Sequence, residues 1–241
     1  MWSEVNAQFT DADSVDRWRA PEFGWGLFRI PESELRALGD VRGVRAVELG
    51  CGTAYLAAWL ARGGAEVVGL DLSPAQLTSA RRCQRDVGPS FPLVEANAEH
   101  VPLRDAAFDL VVSEYGASPW CEPERWIGEA ARLLCPGGRL VFLTNSVLAA
   151  LCVPDEGGVA GDRLLRSPAD VARVGWPGGG VEHHPAHGEV IRVLRDAGFV
   201  VDALHELHAS STQPGPEYYE IATAEWAARW PVEDLWVAHR S

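Results

Sequence analysis

The sequence has no long apolar run, and nothing in it approaches the roughly 20 residues that a membrane-spanning helix needs. Its first residues, MWSEVNAQFTDADSVD, lack a basic segment followed by an apolar one, which predicts no secretion signal. Basic residues are scarce: 21 Lys and Arg face 34 Asp and Glu, for a formal net charge of −13. Nucleic-acid binding depends on neutralising phosphates with basic side chains, so this balance argues against such a partner. Arg81, Arg82 and Arg85 fall on one predicted helix and read as a solvated face. The cysteines, Cys51, Cys83, Cys121, Cys135 and Cys152, are odd in number and form no CxxC pair. That pattern predicts reduced thiols in a cytoplasmic protein and neither a disulfide framework nor a zinc site. No internal repeat or linker divides the 241 residues, which predicts a single domain over 1–241 with a well-buried core.

What is present is an alternation of short apolar strands with helical segments. Strands are expected at 44–49, 65–70, 91–95, 108–113, 139–144, 199–205 and 235–239. Helices are expected at 53–61, 73–85, 122–134, 188–197 and 218–230. Ser73 reads as a helix N-cap, with Pro74 at the first helical position and Gln76 three residues on. Pro136-Gly137-Gly138 stops the helix over 122–134. Repeated βα units imply an α/β fold of the Rossmann-like, doubly wound kind, with a mostly parallel seven-stranded sheet and helices on both faces. Residues 1–40 precede the first strand and are expected to form a helical cap. Residues 145–186, rich in Gly and Pro, form an insertion expected to lie over the active site.

The informative stretch is Glu48-Leu49-Gly50-Cys51-Gly52-Thr53-Ala54-Tyr55, which follows a buried strand and opens a helix. Glycines at 50 and 52 permit a tight turn and close approach of a ligand to the backbone. Tyr55 stands where the dinucleotide fingerprint has its third glycine, which argues against a pyrophosphate seated on the helix N-terminus. Asp71 ends the next strand, about twenty residues on, where a carboxylate accepts hydrogen bonds from ribose hydroxyls. Loop, strand context and acid together point to a nucleoside-bearing cofactor.

At these residues the chain resembles the class I S-adenosylmethionine (SAM)-dependent methyltransferases. Their first motif, E/D-x-G-x-G, is met by Glu48, Gly50 and Gly52. The likeness continues through Asp71, Asn97-Ala98-Glu99, FDLVV, LLCPGGRLVF and LRDAGF, and so covers about 44–205. It is greatest for the branch that contains ubiquinone- and menaquinone-pathway and natural-product enzymes. The resemblance implies SAM as cofactor and S-adenosylhomocysteine as product. It implies that Glu48 holds the methionine amino group and that Gly50, Cys51 and Gly52 form the loop against the cofactor. Asp71 would bind the ribose diol, Leu72 would pack on adenine, and Asn97, Ala98 and Glu99 would line the adenine end. Asn97 stands where the family often has Asp. Ser113 and Glu114 would lie near the methionine moiety and the transferring methyl.

Methyl transfer from a sulfonium releases a neutral leaving group, so much of the catalysis is in-line positioning, and aromatic faces stabilise the cationic donor. The expected substrate pocket is aromatic, built from Trp25, Tyr115, Trp120 and Trp176. His183 and His184 are candidate bases, with Glu114 and Tyr115 as catalytic candidates on the strand side. No metal is expected, because adjacent histidines do not converge on one ion and no carboxylate pattern completes the set around His183, His184 and His187. The segment Ser113-Glu114-Tyr115-Gly116 lacks the Asn/Asp-Pro-Pro-aromatic motif of amino-methylating nucleic-acid enzymes, which favours a small-molecule substrate. Two other classes share part of the pattern: an NAD-dependent oxidoreductase on a related sheet, and a non-catalytic SAM-binding regulatory protein. The sequence sets no oligomeric state.

Overall fold

In the computed structural model, residues 2–175, 180–209 and 221–241 are described. The chain opens with α1 (Trp2–Val5), a π-helical turn (Asn6–Thr10) and α2 (Asp11–Arg19). A ribbon of β1 (Gly24–Trp25) and β2 (Ile30–Pro31) follows, then α3 (Glu32–Leu35). The cap is therefore helical at 2–19 and again at the single turn of α3, with a two-stranded ribbon between them. The alternating units come next: β3 (Arg45–Leu49), α4 (Tyr55–Arg62), β4 (Glu66–Asp71), α5 (Pro74–Asp86) and β5 (Leu93–Glu95). They continue with β6 (Phe108–Glu114), α6 (Pro123–Leu133) and β7 (Leu134–Asn145). The insertion holds α7 (Val147–Cys152), α8 (Pro168–Val171) and a small ribbon of β8 (Val174–Gly175) and β9 (Val181–Glu182). The chain closes with α9 (His187–Asp196), β10 (Phe199–Leu207), α10 (Ala224–Ala227) and β11 (Glu233–Arg240).

The central sheet has seven strands in the order β10-β11-β7-β6-β3-β4-β5. β3 to β7 are parallel, and β11 runs antiparallel between β7 and β10. From β3 the chain first builds outward through β4 and β5. It then returns to place β6 on the other side of β3. The crevice at the carboxyl ends of β3 and β6 is the topological switch point where open α/β sheets hold ligands.

Strand alternation sends neighbouring side chains to opposite faces. Val112, Leu143 and Leu235 pack on one face with Trp18, Leu56, Leu60 and Leu77 from the cap, α4 and α5. Val111, Phe142 and Trp236 pack on the other with Trp126 and Ile127 of α6 and Val190 and Leu194 of α9. The spacing of Trp126, Ile127, Ala130, Ala131 and Leu133 lays one stripe of α6 on the sheet. The Ser73 side chain caps α5 at the Gln76 N–H, with Pro74 in the first turn, as the sequence predicts.

Two expectations are corrected. The helix over 218–230 is reduced to the single turn of α10, capped by Thr223 and closed before Pro231, because this segment packs its buried Ile221, Ala222 and Trp226 against Phe28 and α7. Residues 218–220 lie outside the described residues. Pro136-Gly137-Gly138 stops α6 but does not delay the strand: β7 begins at Leu134, and its pairing with β6 shifts register between Phe108 and Leu110. No described helix is long and apolar enough to cross a membrane.

Candidate active site

The bend after β3 is held from β4. The amide N–H groups of Gly50 and Cys51 both donate to the Leu70 carbonyl, each at 2.8 Å. Gly52 donates its N–H to Asp71 Oδ2 at 2.8 Å, and Ser73 donates to Asp71 Oδ1 at 2.7 Å. Asp71 therefore ties the bend to the start of α5. Burial still leaves its pKa raised, against the hydrogen bonds from Ser73 and Gly52. Glycine is required at 50 for a closer reason than ligand contact: at φ +72°, a Cβ there would sit 2.4 Å from the Gly116 Cα. Gly50 faces the loop after β6. Gly52, at φ +53°, has open space, its nearest neighbour being Gln76 Oε1 at 3.7 Å.

Glu48 is buried at the end of β3 and accepts the Ala57 N–H in the first turn of α4 at 2.8 Å. Burial carries its carboxyl well above the ordinary range, and the nearby Glu114 and Asp71 add to the rise. Glu114 ends β6 and accepts the Gly26 N–H from the cap at 3.1 Å. Burial lifts it to about 7, opposed by Arg17 and Arg29 and by that bond. Three carboxylates thus face one crevice at the switch point.

This donor set suits SAM. Acidic oxygens accept from a ribose diol and an ammonium, and a sulfonium charge offsets their mutual repulsion. Leu72, 61% exposed beside Asp71, offers an exposed apolar face. Asn97 turns its Oδ1 to the Glu99 N–H at 2.9 Å, and Ala98 is buried next to it.

Comparison with known proteins agrees with this geometry. Residues 47–142 match the family model described as a methyltransferase domain. Over 129 residues the chain is 42% identical to a demethylmenaquinone methyltransferase of Thermus thermophilus, covering 53% of each chain. It is 30% identical over 164 residues to a ubiquinone biosynthesis O-methyltransferase of Xylella fastidiosa, covering 63% of this chain and 67% of that one. The chain belongs to the SAM-dependent methyltransferases. A solved SAM-dependent methyltransferase from Mesorhizobium loti superposes with a TM-score of 0.66 at 26% identity, covering 89% of this chain and 99% of that one. The chain spans about half the length of the first of these curated relatives.

Within the methyltransferase framework, several residues take other positions than the sequence suggests. Ser113 is fully buried. Its hydroxyl donates to the Leu49 carbonyl at 2.7 Å and accepts the Ala117 N–H at 2.8 Å, so it clamps the loop after β6 onto β3. Glu99 turns to the start of α6, where Oε1 accepts the Glu122 N–H at 2.8 Å and Oε2 pairs with Arg125 at 3.4 Å. The Cys51 thiol is buried in the core and pushed up by burial, and its backbone N–H and carbonyl are bonded to Leu70 and Ala54. Trp25 is core as well: its indole N–H donates to Glu32 Oε2 at 2.7 Å, and its ring meets Phe23 edge-on. Trp120 stays at the loop, donating its indole N–H to the Tyr115 carbonyl at 3.0 Å. Trp176 lies outside the described residues.

The two histidines are buried rather than displayed on a loop. The His183 backbone N–H donates to the Pro119 carbonyl at 2.8 Å, which docks the insertion on the 115–120 segment, and burial lowers the pKa of its imidazole. His184 Nε2 lies 2.9 Å from Glu182 Oε2. No hydrogen bond connects either ring to Glu114 or Tyr115 among the described residues. Of the three histidines, His187 is the one grouped in space with two carboxylates. His187 Nε2 lies 2.8 Å from Asp234 Oδ2, and Glu206 brings a third ligating atom within 4.8 Å of both.

Sequence reasoning passes over Glu233. It heads β11, is fully buried, and lies under the cap against Tyr115. Its one signal is the pair Glu233-Asp234 opening an apolar strand, where a carboxylate has no ordinary place.

Proposed function

We propose that the chain transfers the methyl group of SAM to a small-molecule acceptor by in-line displacement, releasing S-adenosylhomocysteine. The observation that carries this reading is the 2.8 Å hydrogen bond joining the glycine bend at Gly52 to Asp71, at the switch point of the sheet. In this reading Asp71 exchanges part of its backbone bonding for the ribose hydroxyls. Glu48 receives the methionine ammonium, Leu72 covers the adenine, and Asn97 with Ala98 lines its edge. The bound group supplies an electrophilic methyl on a positively charged sulfur.

Glu114 and Tyr115 face the acceptor, Trp120 holds the loop that carries them, and the insertion over 145–186 closes on that loop through His183. A net charge of −13 supports a metabolite acceptor over nucleic acid. The free cysteines support a reducing, cytoplasmic setting. The curated relatives include quinone-pathway enzymes, which supports an acceptor with an aromatic ring.

Calorimetric titration with S-adenosylhomocysteine, SAM and NAD tests the assignment. The expected result is one site for the first two and none for NAD. NAD uptake without SAM uptake would point to the oxidoreductase instead. Binding of SAM with no methyl transfer to any of a broad set of phenols, quinols and amines would favour a regulatory role.

A further inference from the structure

Glu233 is 0% exposed and has no cation beside it. The chain contains no lysine, and among the described residues no arginine or histidine forms an ion pair with this carboxyl. Oε1 accepts the Leu27 N–H at 2.8 Å and lies 2.5 Å from the Tyr115 hydroxyl. Oε2 is buried with no hydrogen-bond partner. The cap closes tightly over the carboxyl, since a Cβ on Gly26 would fall 2.1 Å from Oε1. The Tyr115 hydroxyl also lies 3.0 Å from Asn145 Oδ1, so it is fixed between two oxygens. Tyr115 itself is held at φ +53°, a strained backbone for a side chain of this size, of the kind that clusters at functional sites. Its N–H donates to the Leu143 carbonyl, and its carbonyl accepts from Trp120, which keeps it there. The neighbouring residue is Glu114, at the end of the same strand.

We propose that Glu233, acting through the Tyr115 hydroxyl, takes the proton that the acceptor loses, and that the acceptor therefore carries a dissociable O–H or N–H on the atom to be methylated. This rests on the methyltransferase reading above. The ionised Glu233 receives the Tyr115 hydroxyl proton on Oε1 as Tyr115 Oη takes the proton from the acceptor. The electron pair left on the acceptor forms the new bond to the methyl carbon. The carbon–sulfur bond of the sulfonium donor breaks, and its pair stays on sulfur as a neutral thioether. Glu233 then returns its proton to solvent once product leaves. The shorter contact directs the hydroxyl proton to Glu233 over Asn145 Oδ1, and Gly26 packs against the carboxyl.

The groups that act on Glu233 define the expected pH range. Burial, with smaller contributions from Glu114 on β6 and Asp234 on its own strand, raises its pKa to about 8 against the bonds from Tyr115 and Leu27. Arg17 and Arg29 of the cap act on Glu114. His187 acts on Asp234.

The test uses the full chain labelled with 13C at tyrosine Cζ, which is tractable because the sequence has four tyrosines. The Tyr115 signal, identified by its loss in Tyr115→Phe, is followed from pH 6 to 9.5 with S-adenosylhomocysteine present. A step near pH 8 that disappears in Glu233→Gln is expected. No step, or one that survives in Glu233→Gln, overturns the proposal. Methyl transfer to a phenol, a catechol and a primary amine is then compared for the two proteins. For the probes methylated, kcat/KM should rise with pH to about 8 in the parent. In Glu233→Gln it should be flat, with kcat lowered about 100-fold and KM for SAM within about twofold. An unchanged profile overturns the proposal. Should Glu233→Gln not fold, Tyr115→Phe must show the same flat profile, and full activity in it overturns the proposal. Absence of S-adenosylhomocysteine binding by the parent protein would instead remove the methyltransferase reading, and the tyrosine titration would still report on the Glu233–Tyr115 pair.

Discussion

The clearest physical consequence of the buried Glu233 is a fall in stability as pH rises, and it can be measured without substrate. A carboxyl in the unfolded chain releases its proton near 4.5, whereas in the fold Glu233 holds it to about 8. Between those values the folded protein binds the proton and the unfolded chain does not, so stability falls with increasing pH. The stabilisation is fully present below pH 4.5 and is lost as pH passes through 8. At about 1.4 kcal/mol for each pH unit of that interval, the loss reaches about 5 kcal/mol, an appreciable share of a domain's total. Glu233→Gln keeps the shape and the Oε1 acceptor for Leu27 and Tyr115 but cannot ionise. Urea denaturation at pH 5, 6, 7, 8 and 9 should therefore show the parent losing stability relative to Glu233→Gln by several kcal/mol across the range. The contribution of Glu114, raised to about 7, is common to both proteins and largely cancels. Parallel stability curves, differing by less than about 1 kcal/mol from pH 5 to 9, would refute a neutral Glu233 in the fold.

Other substitutions test separate parts of the structure. Asp71→Ala removes the acceptor of the Gly52 and Ser73 amides and, on the proposed reading, of the ribose hydroxyls, and calorimetry should find S-adenosylhomocysteine bound about 10- to 100-fold more weakly. Gly50→Ala places a methyl group 2.4 Å from Gly116 on a left-handed backbone. Thermal denaturation should show a loss of more than about 2 kcal/mol, and a neutral result would contradict the close packing of the two loops. Trp126→Ala empties a buried site beneath α6, so urea denaturation should report a loss of about 3–5 kcal/mol, with cofactor affinity unchanged in the folded fraction.

Much of the cofactor side was legible in the sequence because it is local. The strand, bend and helix from Arg45 to Arg62 are encoded by an apolar run, two glycines and a helical stripe. Asp71 reaches the bend because β4 lies beside β3, its next strand in the chain. Ser73 caps α5 through residues three apart, which a sequence displays directly. For these parts, residue type and spacing carry the interaction.

The proposed acceptor side was decided by tertiary structure. Glu233 and Tyr115 are 118 positions apart and meet only because β11 inserts antiparallel between β7 and β10, which brings its first residue to the carboxyl ends of the parallel strands. Trp25 and Tyr115 look alike as aromatics near glycine. One is sealed in the core by Glu32, and the other is held at the crevice by a strained backbone, and no local pattern separates them. The resemblance places Ser113 and Glu99 near the cofactor, while packing gives their side chains backbone partners, Leu49 and Ala117 for the one and Glu122 for the other, that the resemblance does not display. A hydrogen bond is fixed by position in space, and chain order determines that position only where the partners are neighbours. The sequence alone thus specified the glycine bend and its tie to Asp71, and packing across the sheet specified the Glu233–Tyr115 pair beside it.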